Sequence, residues 1–546
     1  MPRGEQAVQI VPPTAGLRLD VPQHLAPFNA LVGGKNMIVD FDGRLKPRLG
    51  YGRIGANEIT GKGQALGGIN WKSPDGTIQT VVATTDTWWA YSGGTAGVWT
   101  DLDPDDAHPL SGALGQPARF VYFNQDGTDL IYGVNGFDTL KFWSPGDTDF
   151  TDVPDGPPAQ DITVLSNRLV LANLTEGGSA EPSFIRWSAS NDGTVWPAGA
   201  VVNLADTQDP IVGIASIGRL QAAIYRENSI WIMTAQEGTD ASAFSFAQLP
   251  LSQQINGPIN ANCIIQAQGI HFFLGRDLRV YAFDGTTVTP VSDPVFPYLQ
   301  ANINQLDQDR CFGVFVAKNR HIQFFFPSSG AKNPDRAVTF NLDGPRWETP
   351  SEFREEFAIA FPTVLGGTID WDTWVPDVPF SWDDIGYETW DDIPAPLTTL
   401  GAMIVGVDGV VHEYMNSTSD NMHSIPFEAI WAPFSAEQGR LDISVNWAEF
   451  FANETDENSF LNWRIEGWRQ PLHFSKNIYS GLINLRSARS FQLPSEPGPT
   501  NPANEKFAYI RFAIEGSSGT RLLQSAGALL HIYTHEKPVY NRAREG

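Results

Sequence analysis

IHFFLGRDLRVYAF, residues 270–283, is an apolar run, a tight polar turn and a second apolar run ending in aromatics. The runs are made of the aromatic and branched residues that suit strands, and the glycine and aspartate between them supply what a hairpin turn needs, positive φ or a side-chain-to-backbone hydrogen bond. The same unit occurs seven times. The others are VVATTDTWWAY (81–91), LIYGVNGFDTLKFW (130–143), RLVLANL with FIRWS from 168, QAAIYRENSIWIM (221–233), HIQFFFP with AVTFNLDGPRW from 321, and AMIVGVDGVVHEY (402–414). Taking Val82, Leu130, Leu169, Ala222, Phe272, Phe324 and Ile404 as equivalent points, the steps are 48, 39, 53, 50, 52 and 80 residues. Several units add a third strand before a Pro or Asp turn, as in GVWTDLDP, DFTDVPDG and TTVTPVSDP. Small sheets at ~40–50 residues each cannot hide their own faces and must pack on their neighbours around an axis, which is a β-propeller. A sandwich is the alternative, but Greek-key strands do not repeat a hairpin unit.

Composition agrees on an all-β protein. With 51 glycines, 39 prolines and 18% charged residues in 546, turns are many and long surface helices few. The fold expected is a β-propeller-type ring of six to eight blades over 55–435 with a smaller C-terminal β-sandwich over 436–546, residues 1–54 forming an extended segment and first strands. Residues around 36–50 are expected to tuck against the ring or complete one of its sheets. No run of 18 apolar residues suggests membrane insertion. Cys263 and Cys311 each begin an apolar run, so buried free thiols are the plain reading. Net charge is −26, and its placement is uneven: residues 437–546 hold 12 acids and 12 bases, leaving 50 acids and 24 bases before them. Such an acidic body repels phosphate backbones.

The 80-residue step contains WDTWVPDVPFSWDDIGYETWDD, residues 371–392, preceded by Asp370. Its carboxylates, Asp370, Asp372, Asp377, Asp383, Asp384, Glu388, Asp391 and Asp392, have no lysine or arginine among them. Paired acids and tryptophan platforms are the furniture of a glycosidase site, yet SWDDIGYETW (381–390) and SNDGTVW (190–196) each miss the sialidase-type serine-x-aspartate-x-glycine-x-x-tryptophan box by a residue. The run reads as an inserted loop anchored by Trp371, Trp374, Trp382 and Trp390, presenting acids to water, to a channel or to a neighbouring subunit. For calcium, Asp101, Asp103, Asp105 and Asp106, and Asp147, Asp149 and Asp152, supply hard oxygens without the EF-hand spacing, so solvated turns are expected. His531 and His535 lack a third ligand. No phosphate loop or nucleophile motif occurs. No catalytic residue, cofactor or metal is expected.

The line PPTAGLRLDVPQHLAPFNALVGGKNMIVDFDGRLKPRLGY (12–51) resembles the opening of tail nozzle (tail tubular protein B-like) proteins of short-tailed bacteriophages, in its glycine-leucine-arginine segment, asparagine and DGRL-x-x-R-x-GY line. FIRWSASNDGTVWPAG, PIVGIASIGRLQAAIYRENSIWIM, GIHFFLGRDLRVYAFDGTTVTPVS, DRAVTFNLDGPRWE and the WDTW…WDD run then follow in that family's order, over about 12–440. The resemblance implies a virion structural protein, six copies of which form a ring at the distal end of the tail around the DNA-ejection channel. It implies a tail adaptor or tube protein and tail fibres as partners, and double-stranded DNA passing without specific binding. Carboxylates lining such a channel would let DNA slide. The neutral C-terminal part is the candidate for packing on neighbours or an adaptor. The functional alternative is a carbohydrate-recognising or carbohydrate-cleaving propeller with the tryptophan/aspartate run as its site.

Overall fold

A computed structural model gives the architecture. It describes residues 3–536 except 41–42, 60–62, 73–77, 93–96, 126, 206–208, 251–255, 366–400, 437–440, 453–459, 470–475, 485–505 and 518–524. The regular structure of the described residues is almost all strand; their one α-helix, Phe296–Asn302, has seven residues.

The hairpin of 270–283 forms as expected, with one change. Ile270–Leu274 pairs antiparallel with Val280–Phe283, and Asp277 Oδ1 accepts from the Arg279 amide at 3.2 Å. The positive φ falls on Leu278 (65°), not on a glycine. Gly275 is needed for room instead: a Cβ there would lie 2.9 Å from the Asn256 carbonyl oxygen. Ile264–Ala267 and Val288–Pro290 complete a four-stranded meander. Its inner strands are buried on both faces, because another sheet lies on each side. Phe273 stacks on Tyr281 of its own sheet and meets Tyr225 of the preceding one, both at 5.3 Å between ring centres; such aromatic pairs add ~0.5–1.5 kcal/mol beyond the area they bury.

Among the described residues this meander is one of seven. Their first strands are Ala65–Lys72, Arg119–Gln125, Ala159–Leu165, Ile211–Ser216, Ile264–Ala267, Phe312–Val316 and Phe357–Leu365. Each touches the next, and the last pairs in parallel with the first through Thr363–Leu365 and Asn70–Lys72. The cycle of first strands is closed, which is the geometry of a propeller-type ring. The seventh sheet takes Ala402–Gly406 and Val411–Ser417 from late in the chain and its outermost strand, Gly50–Arg53, from early in it. Glycines let the first strands crowd the axis: a Cβ on Gly67 would sit 1.8 Å from the Ala118 carbonyl oxygen of the second sheet.

The second body differs from the expected C-terminal unit. Strand pairing divides residues 1–54 rather than leaving them as one extended segment, and it places Pro426–Trp431 on the second-body side of the boundary drawn at 436. One sheet runs Leu31–Lys35, Pro426–Trp431, Tyr509–Ser517, Phe460–Trp468, Lys476–Asn484; the other joins Arg3–Ile10 and Leu441–Ala452 to Ser525–Glu536, with Leu45–Pro47 and Met37–Val39 alongside. Both sheets combine strands from the start of the chain with strands from its end. A hairpin period reports pairing between neighbours and is silent about such partners.

One apolar core runs through both bodies, from Phe272, Phe324 and Trp347 of the ring through Leu31, Met37 and Val39 to Trp431, Ile443 and Phe512. The chain crosses between bodies at Arg48–Leu49 and at 418–425, and the two crossings are tied together. Arg48, fully buried, donates from Nη1 to Asp420 Oδ1 at 2.8 Å and from Nη2 to Oδ2 at 2.5 Å. Its Nε donates to Asn36 Oδ1 at 3.0 Å, its Nη2 also to the Glu352 carbonyl at 3.0 Å, and Phe353 lies under the guanidinium at 4.3 Å. A buried ion pair survives only when its remaining polar atoms are satisfied in this way.

Candidate functional site

The first strands start at one end of the ring, so the links from each fourth strand to the next first strand, and the second-to-third hairpins, gather there. They frame a depression on the axis of about 420 Å³, counting its open solvent, lined by residues from the first, second, fifth, sixth and seventh sheets. Leu66, Phe312 and Ile359 form its floor and Gln64, Asn262, Arg310 and Asn333 its polar wall. The space open to the centre of a water is only about 40 Å³, enough for a few waters.

The wall is held by bonds between sheets. Arg119 of the second sheet donates to Asp161 of the third at 2.9 Å and to Asn262, before the fifth, at 3.0 Å. Asp161 is buried and its other oxygen accepts from the Ile214 amide of the fourth at 2.8 Å. Across the mouth, Arg310 donates to Asn333 at 2.7 Å, and Asn333 donates to Glu356 at 2.8 Å. Arg119, Asp161 and Asn333 thereby join one sheet to another, while Arg310 ties two loops of the sixth sheet. Cys263 and Cys311 are free and buried beside the mouth, the Cys263 sulfur 3.2 Å from the Cys311 carbonyl oxygen. Burial pushes the Cys263 thiol up to about 12 and the Cys311 thiol well above its ordinary value, the opposite of an activated nucleophile.

Asp370, Asp372, Asp377, Asp383, Asp384, Glu388, Asp391 and Asp392 lie outside the described residues, as does the 381–390 box. The residues that flank the segment are placed: Phe357–Leu365 starts at the mouth, so Leu365 and Gly401 lie at the opposite end of the ring. The other box, SNDGTVW, is a turn. Asp192 Oδ1 accepts from the Thr194 amide at 2.8 Å and hydroxyl at 2.6 Å, while Trp196 donates its indole N–H to the Gly193 carbonyl at 3.0 Å. Three aspartates of the two hard-oxygen sets, expected as solvated turns, bond to protein groups. Asp101 accepts from the Thr87 hydroxyl at 2.7 Å, Asp103 from the His108 amide at 3.0 Å, and Asp152 pairs with Lys141 and with His108 at 3.3 Å. No group of three metal-ligating side chains occurs among the described residues. His531 and His535 lie on the strand Ser525–Glu536.

Two histidines behave differently. His271 is satisfied on both sides, by the Tyr225 hydroxyl and the Ser216 carbonyl, each at 2.8 Å. His412 is buried in the seventh sheet, with neither ring nitrogen hydrogen-bonded, Tyr51 edge-on at 4.9 Å and Glu355 3.8 Å away. Burial lowers its pKa to about 4, against the opposing pull of Asp408. Sequence reading singled out none of Arg119, Asp161, Arg310, Asn333 and His412, and marked Arg48 only as the arginine of the DGRL-x-x-R-x-GY line, with no structural role. The Arg48 partner lies 372 residues away, beyond the reach of any local pattern.

No protein-family model matches the chain, and no curated protein does. Solved structures resemble it at low identity. PorZ, a bacterial surface component of the type-IX secretion system of Porphyromonas gingivalis, aligns over 70% of this chain at 10% identity and a TM-score of 0.37. This chain spans 43% of PorZ. BBS1N, in a crystal of its complex with ARL6DN, aligns over 67% of this chain and 97% of its own at 9% identity and a TM-score of 0.38.

Proposed function

We propose that this chain is a virion structural protein, a distal tail nozzle subunit of a short-tailed bacteriophage, six copies of which form a ring around the DNA-ejection channel. The observation that carries the reading beyond the ordered sequence lines is a shared build: second-body sheets made from both ends of the chain, one apolar core and the buried Arg48–Asp420 clamp join ring and second body. A conduit wall needs a subunit of fixed shape. The depression at the mouth has room for a few waters only, and in this reading the DNA passes between subunits. The net charge of −26 suits a surface along which a phosphate backbone slides without adhering. A tail adaptor or tube protein and tail fibres are the partners of that role.

Light scattering on the purified chain, followed by negative-stain imaging, tests it. A closed six-fold particle with a central opening wide enough for a duplex is expected. A monomer at every concentration that binds glycans overturns it in favour of the carbohydrate-recognising alternative.

A further inference from the structure

Nine large apolar side chains are exposed among the described residues, and four of them, Leu114, Phe137, Leu306 and Val407, belong to loops at the mouth end of the ring. An exposed leucine alone means little. These are connected. Phe137 precedes Asp138, which accepts from the Ser111 amide at 2.8 Å on the loop that carries Leu114. Gly115 packs on Asp309, three residues after Leu306, and Gln64 lines both the axial depression beside Leu114 and the neighbouring hollow beside Val407. Leu306 is 93% exposed and Leu114 49%, so burying them on a partner removes two leucine side chains from water.

The surroundings are acidic. On loops of the same end Asp86, Asp105, Asp309, Asp408 and Glu356 are exposed, against the exposed bases Arg276, Lys332 and Arg354. We infer that the mouth end is a docking face for a protein partner whose surface carries lysine or arginine around an apolar ridge: the leucines anchor, and the acids around them select for a basic rim and speed encounter. The occupant is a different protein with a basic rim, since a second copy would bring either the same acidic end or the charge-neutral C-terminal part, and neither complements this face. The inference is independent of the ring proposal, because it concerns one end of the single chain.

The probe is an amphipathic peptide alternating lysine with leucine, compared with a lysine/serine and a glutamate/leucine peptide, each titrated against the full chain by fluorescence anisotropy. Leu114→Ser with Leu306→Ser removes the anchors, and Leu220→Ser, an exposed leucine of the opposite end, is the control. Expected are binding of the lysine/leucine peptide alone, a loss of tenfold or more in the double variant and none in the control, and weakening at high salt. Equal binding of the lysine/serine peptide would mean general attraction to an acidic body and overturn the inference. So would no binding, no loss in the double variant, or a double variant that changes the mass of the free protein, since that would make the face a contact between copies.

Discussion

The third and fourth sheets of the ring and its seam are built from the same strand geometry and differ in where the partners sit. In Ile211–Ser216, Gln221–Arg226, Ile230–Ala235 and Phe244–Gln248 every strand pairs with its neighbour in sequence. At the seam, Gly50–Arg53 pairs with Val411–Ser417, and Arg48 reaches Asp420. A regular sheet is a local device repeated. The seam costs more loop-closure entropy, though that cost grows only slowly with length, and its buried Arg48 meets a partner 372 residues away, whereas the buried Arg226 of the fourth sheet bonds Asp209, Leu204 and Ser183, 17 to 43 residues away.

The sharpest way to break this contrast is to remove the early strands. Deleting residues 1–53 takes a strand from the seventh sheet and strands from both second-body sheets, and is expected to abolish cooperative unfolding by circular dichroism. A soluble, cooperatively melting product would show that the seam is dispensable.

Next in size is the clamp. Arg48→Ala leaves the Asp420 carboxylate buried without its partner and is expected to cost ~3–5 kcal/mol in denaturant titration. Arg48→Met with Asp420→Leu should recover part of that loss by replacing charge with packing. A single-variant cost under about 1 kcal/mol would deny the clamp its role.

Third is the pH response. His412 is held neutral in the fold, its pKa depressed to about 4 by burial, whereas unfolded it titrates near 6.5. The unfolded chain binds the extra proton between those values, so stability is fully present above pH ~6.5 and falls as pH drops towards 4, by up to ~3 kcal/mol for this residue. His412→Phe should flatten that part of the stability–pH curve. An unchanged slope would mean that other buried groups, such as His321, held down to about 3, dominate.

The smallest effect belongs to the regular sheets. Asp192→Ala removes side-chain bonds that Asp192 makes within its own turn, and about 1 kcal/mol is expected. A loss as large as that of Arg48→Ala would erase the distinction between turn and seam.

How much was legible follows the same division. The hairpin of 270–283, the turn role of SNDGTVW and the buried thiols could be read from a few adjacent residues, because alternation and turn chemistry act over that range. The ring was legible as a period. The mouth was not: Arg119, Asp161 and Asn262 sit on or before three different first strands, and Arg119 and Asn262 look ordinary in their own segments.

By itself, then, the sequence determined the repeating hairpin, its turn chemistry, the all-strand ring and the acidic character of its larger part, since each rests on neighbours in the chain or on composition. Only the tertiary structure decided that Gly50–Arg53 closes the seventh sheet, that early strands thread the second body, that Arg48 meets Asp420, and that Leu114 and Leu306 share one end. Many strands could satisfy the same backbone ladder. Which one does is settled by packing over hundreds of residues, where shape and buried charge, rather than local pattern, select the partner.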